Sequence, residues 1–297
     1  MSVVTELGAS RLVQLPQGAI RIYERGKGET VLFVHGLVAN AAAWRKVVPR
    51  LADSYRCITA DWPFGAHRIP MAADADLTPL GIAHTIADVL EALDLEHVTL
   101  VGNDGGGMLS QLVVAHRPER IARLVLTPCD AYENFPPPLF EYMCWMARTP
   151  GAGTLMGRLL RIPTVRHACA RSRFGFGGLT RHPISSELID HYLHGMTHER
   201  GVVRDCLAFL RAVDNKYTLD AAARFASCAL PVLIAWAEDD RFFPYAHAKR
   251  LAADFPNARL ESITDSLTWV AEDQPNRTAA LIAQFISSTP IHVDHPG

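Results

Sequence analysis

Val98-Thr99-Leu100-Val101-Gly102-Asn103-Asp104-Gly105-Gly106-Gly107 is the stretch on which the reading of this chain turns. A β-branched, apolar run meets an acid flanked by glycines, and a helix-like segment, Met108 to His116, follows at once. This is the pattern of a strand, a sharp turn and a helix with one reactive side chain at the apex. In G-x-S-x-G sequences the apex is serine, and small neighbours are needed because the turn is tight. Here the apex is Asp104. A carboxylate is ionised near neutral pH and can attack carbon directly. A Gly-rich phosphate loop or a plain turn is the competing reading, and the flanking chain fits the elbow better.

On the N-terminal side, Arg11 to Leu15 and Ala19 to Glu24 alternate apolar and polar residues around Pro16-Gln17-Gly18, which predicts a hairpin. Val31 to Val34 is a continuous apolar run, the mark of a strand buried on both faces, and it empties into His35-Gly36-Leu37. Trp44 to Leu51 reads as a helix and Tyr55 to Ala60 as a strand. Thr78-Pro79 introduces a helix from about Leu80 to Leu93. On the C-terminal side of the elbow, Arg123 to Thr127 is the next strand. Val232 to Trp236 and Arg259 to Ile263 are later ones, with helices at Tyr245 to Asp254 and Pro275 to Ile286 and a loose tail after Ser288. Alternating strands and helices predict an α/β fold with a mostly parallel sheet covered on both faces. Ligands in such sheets sit beyond the carboxyl ends of the strands. His35, Asp61, Asp104 and Asp130 all fall there. From about Ala131 to Phe225 the strand rhythm stops, so residues 131–225 are expected to form an inserted helical cap on a core made of 1–130 and 226–297.

The chain has 297 residues, 49% hydrophobic and 20% charged, with formal net charge −2. That is ample for a large core. A near-neutral balance offers no overall basic excess to draw nucleic acid or a membrane, and neither is expected as a partner. Six scattered cysteines, none in a C-x-x-C pair, fit free thiols in a cytoplasmic protein. Met1 to Glu6 lacks a signal-peptide pattern, and no run of about 18 apolar residues occurs. His191, His194 and His198 share one face if Asp190 to His198 is helical, a spacing that can ligate zinc. A solvated polar face is the commoner outcome, Gly195 weakens the helix, and no metal or cofactor is expected.

From about Ile20 to Phe285, the divergent cap excepted, the order of these parts resembles the α/β-hydrolase superfamily. His35-Gly36-Leu37 resembles its oxyanion loop, Gly102 to Gly106 its nucleophile elbow and Glu238-Asp239-Asp240 its acid loop. Leu267 to Pro275 resembles the segment that carries its catalytic histidine. An aspartate at the elbow resembles the haloalkane dehalogenase and epoxide hydrolase branch. There an alkyl-enzyme ester forms on Asp and is cleaved by His-activated water. The resemblance implies Asp104 as nucleophile, Asp240 or Asp130 as supporting acid, and the Leu37 and Gly105 N–H groups as oxyanion donors. It implies His35 as a brace for the oxyanion loop.

Three departures stand out. Thr268 occupies the position of the catalytic histidine, and a threonine hydroxyl has no usable pKa near 7. Gly105 replaces the tryptophan whose indole binds halide in dehalogenases, and Leu37 replaces a common asparagine. His67, after the Tyr55 to Ala60 strand, is the first candidate for a substitute base, weighed against a loop histidine bonded to backbone. Tyr142, Tyr192 and Tyr217 are candidates for protonating an epoxide oxygen, weighed against packing.

The expected activity is hydrolysis of a small apolar epoxide, carbon–halogen or ester-like substrate, in a chain compatible with a homodimer. A non-hydrolytic lyase, isomerase or cyclase on the same scaffold, or an inactive ligand-binding protein, are the alternatives that Thr268 leaves open.

Overall fold

Eight strands account for the apolar runs and form one sheet in a computed structural model that describes residues 3–291. They are β1 (Ala9–Leu15), β2 (Gly18–Arg25), β3 (Thr30–Val34), β4 (Arg56–Ala60), β5 (Val98–Asp104), β6 (Ile121–Cys129), β7 (Val232–Ala237) and β8 (Ala258–Ile263). Their order across the sheet is β1-β2-β4-β3-β5-β6-β7-β8. β1 and β2 form the hairpin read from the sequence, closed by Leu15 opposite Gly18, and β2 runs antiparallel to β4. Every other neighbouring pair is parallel.

Successive strand residues point to opposite faces, and the core divides accordingly. Leu32, Val34, Leu100, Leu124 and Ile234 pack on one side with the helices Pro79–Ala92, Gly105–His116 and Tyr245–Asp254. Val31, Phe33, Val101, Val125 and Leu233 pack on the other with Pro275–Ser288. β5 is buried at every residue, and its apolar residues Val98, Leu100 and Val101 pack on both faces of the sheet. Truncating a side chain such as Phe33 to alanine costs about 3–5 kcal/mol.

Two expectations need correction here. Trp44 to Leu51 is not one helix: a 3-10 turn at Ala41–Trp44 is followed by turns and a short helix, Val48–Leu51. Pro49 is the reason, because it lacks an N–H and its ring clashes with the carbonyl four residues back. The tail is not loose directly after Ser288. The Thr289 carbonyl accepts from the Nε of the buried Arg123 at 2.8 Å, while residues 292–297 lie outside those described. The signal-peptide reading likewise rests partly on Met1 and Ser2, outside the described residues.

Between β6 and β7 the chain is helical, with Glu141–Arg148, Ala152–Leu159, Pro163–Arg171, Ser186–His198, Arg200–Ala212 and Lys216–Ala222. Several of these helices lie across the carboxyl ends of β3 and β5 and enclose a cavity there. Among the described residues no helix is long and apolar enough to cross a membrane.

Candidate active site

β5 delivers Asp104 to the elbow with φ 56° and ψ −135°, a left-handed conformation that a non-glycine residue adopts only under strain. The glycines around it permit close approach. A Cβ on Gly106 would lie 2.3 Å from the His35 carbonyl, and one on Gly36 would lie 2.6 Å from the Asp104 carboxyl carbon. The oxyanion loop and the elbow therefore touch through backbone that has no room for side chains.

Asp104 is buried and its carboxylate is surrounded by donors. The Gly105 N–H donates to Oδ1 at 2.5 Å, and the Trp269 indole Nε1–H donates to Oδ2 at 3.3 Å. Burial pushes the carboxyl up to about 6. The Gly105 N–H, the Trp269 indole and the Leu37 N–H pull it down, while the charge of Asp240 pushes it further up. At neutral pH the anion prevails.

His35 is fully buried and braces the loop. The Trp62 N–H donates to its Nε2 at 2.9 Å, so Nδ1 carries the proton and donates to the Gly36 carbonyl at 2.8 Å. Its ring stacks on Phe64. Burial lowers its pKa to about 3, so it stays neutral and holds Gly36 and Leu37 in place.

Asp240 accepts from the Phe242 and Phe243 N–H groups, each at 2.8 Å, yet burial keeps its carboxyl above the ordinary range. Thr268 sits against it, and the hydroxyl favours the Asp240 anion. Neither Asp240 Oδ2 nor Thr268 Oγ1 has a partner in hydrogen-bonding geometry among the described residues. Asn103 ties this loop to the elbow, donating from Nδ2 to the Thr268 carbonyl at 2.8 Å. Asp130 is buried beyond β6, near enough for the Asp104 charge to raise its carboxyl further above a normal acid, with Oδ1 unpartnered. Asp104, Asp130, Asp240 and Thr268 thus converge at one end of the sheet.

His67 does not join them. Its Nε2 pairs with Asp205 Oδ2 at 3.1 Å, both side chains buried, and the same oxygen accepts from the Met71 N–H at 2.8 Å. His67 fastens the loop after β4 to the helix Arg200–Ala212 and does not line the cavity of Asp104. The expectation of a substitute base there is corrected: a histidine after a strand serves tertiary anchoring when a buried acid claims its ring.

The three clustered histidines separate by function as well. His191 Nδ1 accepts from an Arg68 guanidinium N–H at 2.8 Å, while His194 and His198 stack on each other. Of the tyrosines, Tyr142 lines the cavity and donates its OH to the Phe174 carbonyl at 2.7 Å. Tyr192 is buried against Trp269 and Phe176, and Tyr217 does not line the cavity.

The cavity in front of Asp104 holds about 360 Å³. Leu37 and Val38 form its floor, and Met143, Met156, Phe176 and Leu207 belong to its walls. Asp104 is its single charged lining residue among the described residues. Trp269 was missed by sequence reasoning. The available signal was an indole directly beside the position where an imidazole is expected.

Residues 29–275 match the family model described as the alpha/beta hydrolase fold. The chain is 26% identical over 296 residues to a 2-hydroxy-6-oxononadienedioate/2-hydroxy-6-oxononatrienedioate hydrolase of Paraburkholderia xenovorans, covering 97% of this chain and 98% of that one. It is 27% identical over 287 residues to haloalkane dehalogenase 2 of Mycobacterium tuberculosis, covering 93% and 94%. Among solved structures the epoxide hydrolase CorEH superposes with a TM-score of 0.79 at 15% identity, over 95% of this chain and 99% of that one, a likeness of fold. With a family match that spans most of its length, the chain belongs to the alpha/beta hydrolase fold family.

Proposed function

We propose that the chain is a hydrolase of small, uncharged, apolar organic molecules and that Asp104 is its nucleophile. One observation carries this reading: Asp104 is the single charge lining an apolar cavity among the described residues, held at the apex of a strained turn by the Gly105 and Trp269 donors. Oδ1 is held by the short Gly105 bond, so Oδ2, with the longer Trp269 contact, is the freer oxygen. It attacks an electrophilic carbon of an epoxide, alkyl halide or ester-like substrate. The new O–C bond forms as the leaving group departs with its electron pair. The Trp269 N–H holds Oδ2 in the anionic form for attack, and the Gly105 N–H, already on Oδ1, is the donor that would stabilise the negative charge gathering on that oxygen when water adds to the ester.

Cleaving the resulting ester needs a base for water. Asp240 Oδ2 and Thr268 Oγ1 are an acceptor and a hydroxyl, both buried and unpartnered, side by side where the family carries an imidazole. We assign the water to these two groups. Asp240, its carboxyl raised by burial, is a stronger base than an ordinary carboxylate. Without an imidazole this half-reaction is expected to be slow. The Paraburkholderia relative is named for dicarboxylate substrates. A cavity lined by no cation among the described residues, with an anion at its end, disfavours such a substrate here.

A second reading has its own support. A carboxyl near 6 suits proton transfer, so Asp104 acting as acid–base in an elimination, isomerisation or cyclisation is the alternative. Single turnover in ¹⁸O-water separates the two. Ester hydrolysis places one ¹⁸O in the Asp104 carboxyl, read in the peptide that contains it. Turnover that leaves that peptide unlabelled overturns the nucleophile and favours proton transfer.

A further inference from the structure

Whole-chain charge conceals a strong local imbalance. Residues 141–181 hold seven arginines, no lysine and one acid, Glu141, in a chain whose net charge is −2. Arg166 and Arg181 are paired with carboxylates, whereas Arg158, Arg161 and Arg173 have no carboxylate partner among the described residues. The same segment carries the largest exposed apolar side chains: Trp145 is 65% exposed, Leu155 57% and Ile162 48%.

Placement makes this more than an apolar surface. The helices Glu141–Arg148 and Ala152–Leu159 line the cavity with Met143, Met146 and Met156 on one side. They present Trp145, Leu155 and Leu159 to the outside. A helix that is apolar outward as well as inward is not explained by folding in water. Tyr142 and Phe174 both line the cavity and are both exposed, so its mouth opens in this same segment.

We infer that this face docks on an anionic phospholipid surface, from which an apolar substrate enters the cavity. Arginines interleaved with Trp, Leu and Ile form the combination that seats a helix at the headgroup–acyl boundary. Lipid satisfies both halves at once, phosphate for the unpaired guanidinia and acyl chains for the indole and the leucines. A second copy facing this one would oppose arginine to arginine. The inference does not depend on the reaction at Asp104.

The protein carries its own probe. Trp44, Trp62, Trp236 and Trp269 are buried, and Trp145 is the fifth tryptophan. Phosphatidylcholine vesicles containing phosphatidylglycerol should shift its emission to the blue and float the protein, and phosphatidylcholine alone should do neither. The shift should vanish in Trp145→Phe and at high salt. Arg158→Glu with Arg161→Glu should weaken apparent affinity about tenfold or more. No flotation with either vesicle overturns the inference, and so does equal binding to both. A blue shift that grows with protein concentration in lipid-free buffer, with sedimentation as a dimer, assigns the face to a second copy. A shift with soluble polyglutamate as large as with vesicles assigns it to an acidic protein. Either result overturns the lipid.

Discussion

The indole of Trp269 donates to Oδ2 of Asp104 from 3.3 Å, and Trp269 directly follows Thr268. The loop that carries Thr268 therefore addresses the elbow through a neutral donor. Because this bond favours the anion, removing it raises the Asp104 pKa. Trp269→Phe is expected to lower kcat/KM about tenfold, in the range of a lost hydrogen bond to a charged group. The acid limb of its pH profile should also move to higher pH. A pH–rate series on the variant checks both.

Ionisation of Asp104 sets a second expectation. With its carboxyl near 6, kcat/KM should fall about tenfold per pH unit below that value and level off above it. Stability follows the opposite sign. The folded pKa lies above the ordinary value of 3.8, so the folded state binds the proton more tightly than the unfolded chain. Asp104 thus costs folding free energy above pH 6, and that cost fades as pH falls from 6 towards 3.8. Asp104→Asn should stabilise the protein by about 3 kcal/mol at pH 8 and by little near pH 4. Denaturant melts at the two pH values measure the difference.

His67 and Asp205 give a prediction of the other kind. Both are buried, and their bond joins the loop after β4 to the helix Arg200–Ala212. His67→Ala is expected to cost about 2 kcal/mol of stability by leaving the carboxylate one partner short. The same variant should leave kcat within about threefold, since a substitute base would show about 10²-fold or more. Parallel melts and kinetics on this variant separate an anchor from a base.

Much of this architecture was legible in the chain, for physical reasons that can be named. Val31 to Val34 is apolar throughout, and Val98 to Val101 is broken only by Thr99, because both faces of the sheet are covered, and Asp104 is conspicuous because glycine surrounds it. The broken segment at Trp44 to Leu51 was hidden because its apolar spacing outweighed one proline. His67 was misjudged because its partner, Asp205, lies 138 positions away, and no local pattern announces a contact across that distance. Trp269 was hidden for a similar reason, since its role depends on the approach of two loops 165 positions apart. The basic face of residues 141–181 was lost in the average charge of the whole chain.

Whether carbon becomes bonded to Asp104 is the point on which the proposed chemistry stands. Intact-protein and peptide mass spectrometry after exposure to a panel of epoxides, alkyl halides and strained lactones reads it directly. The expected result is a substrate-sized mass increase on the peptide containing Asp104, absent in Asp104→Asn and shorter-lived in Thr268→His. An unmodified Asp104 across the panel, with no turnover of any member, would contradict it.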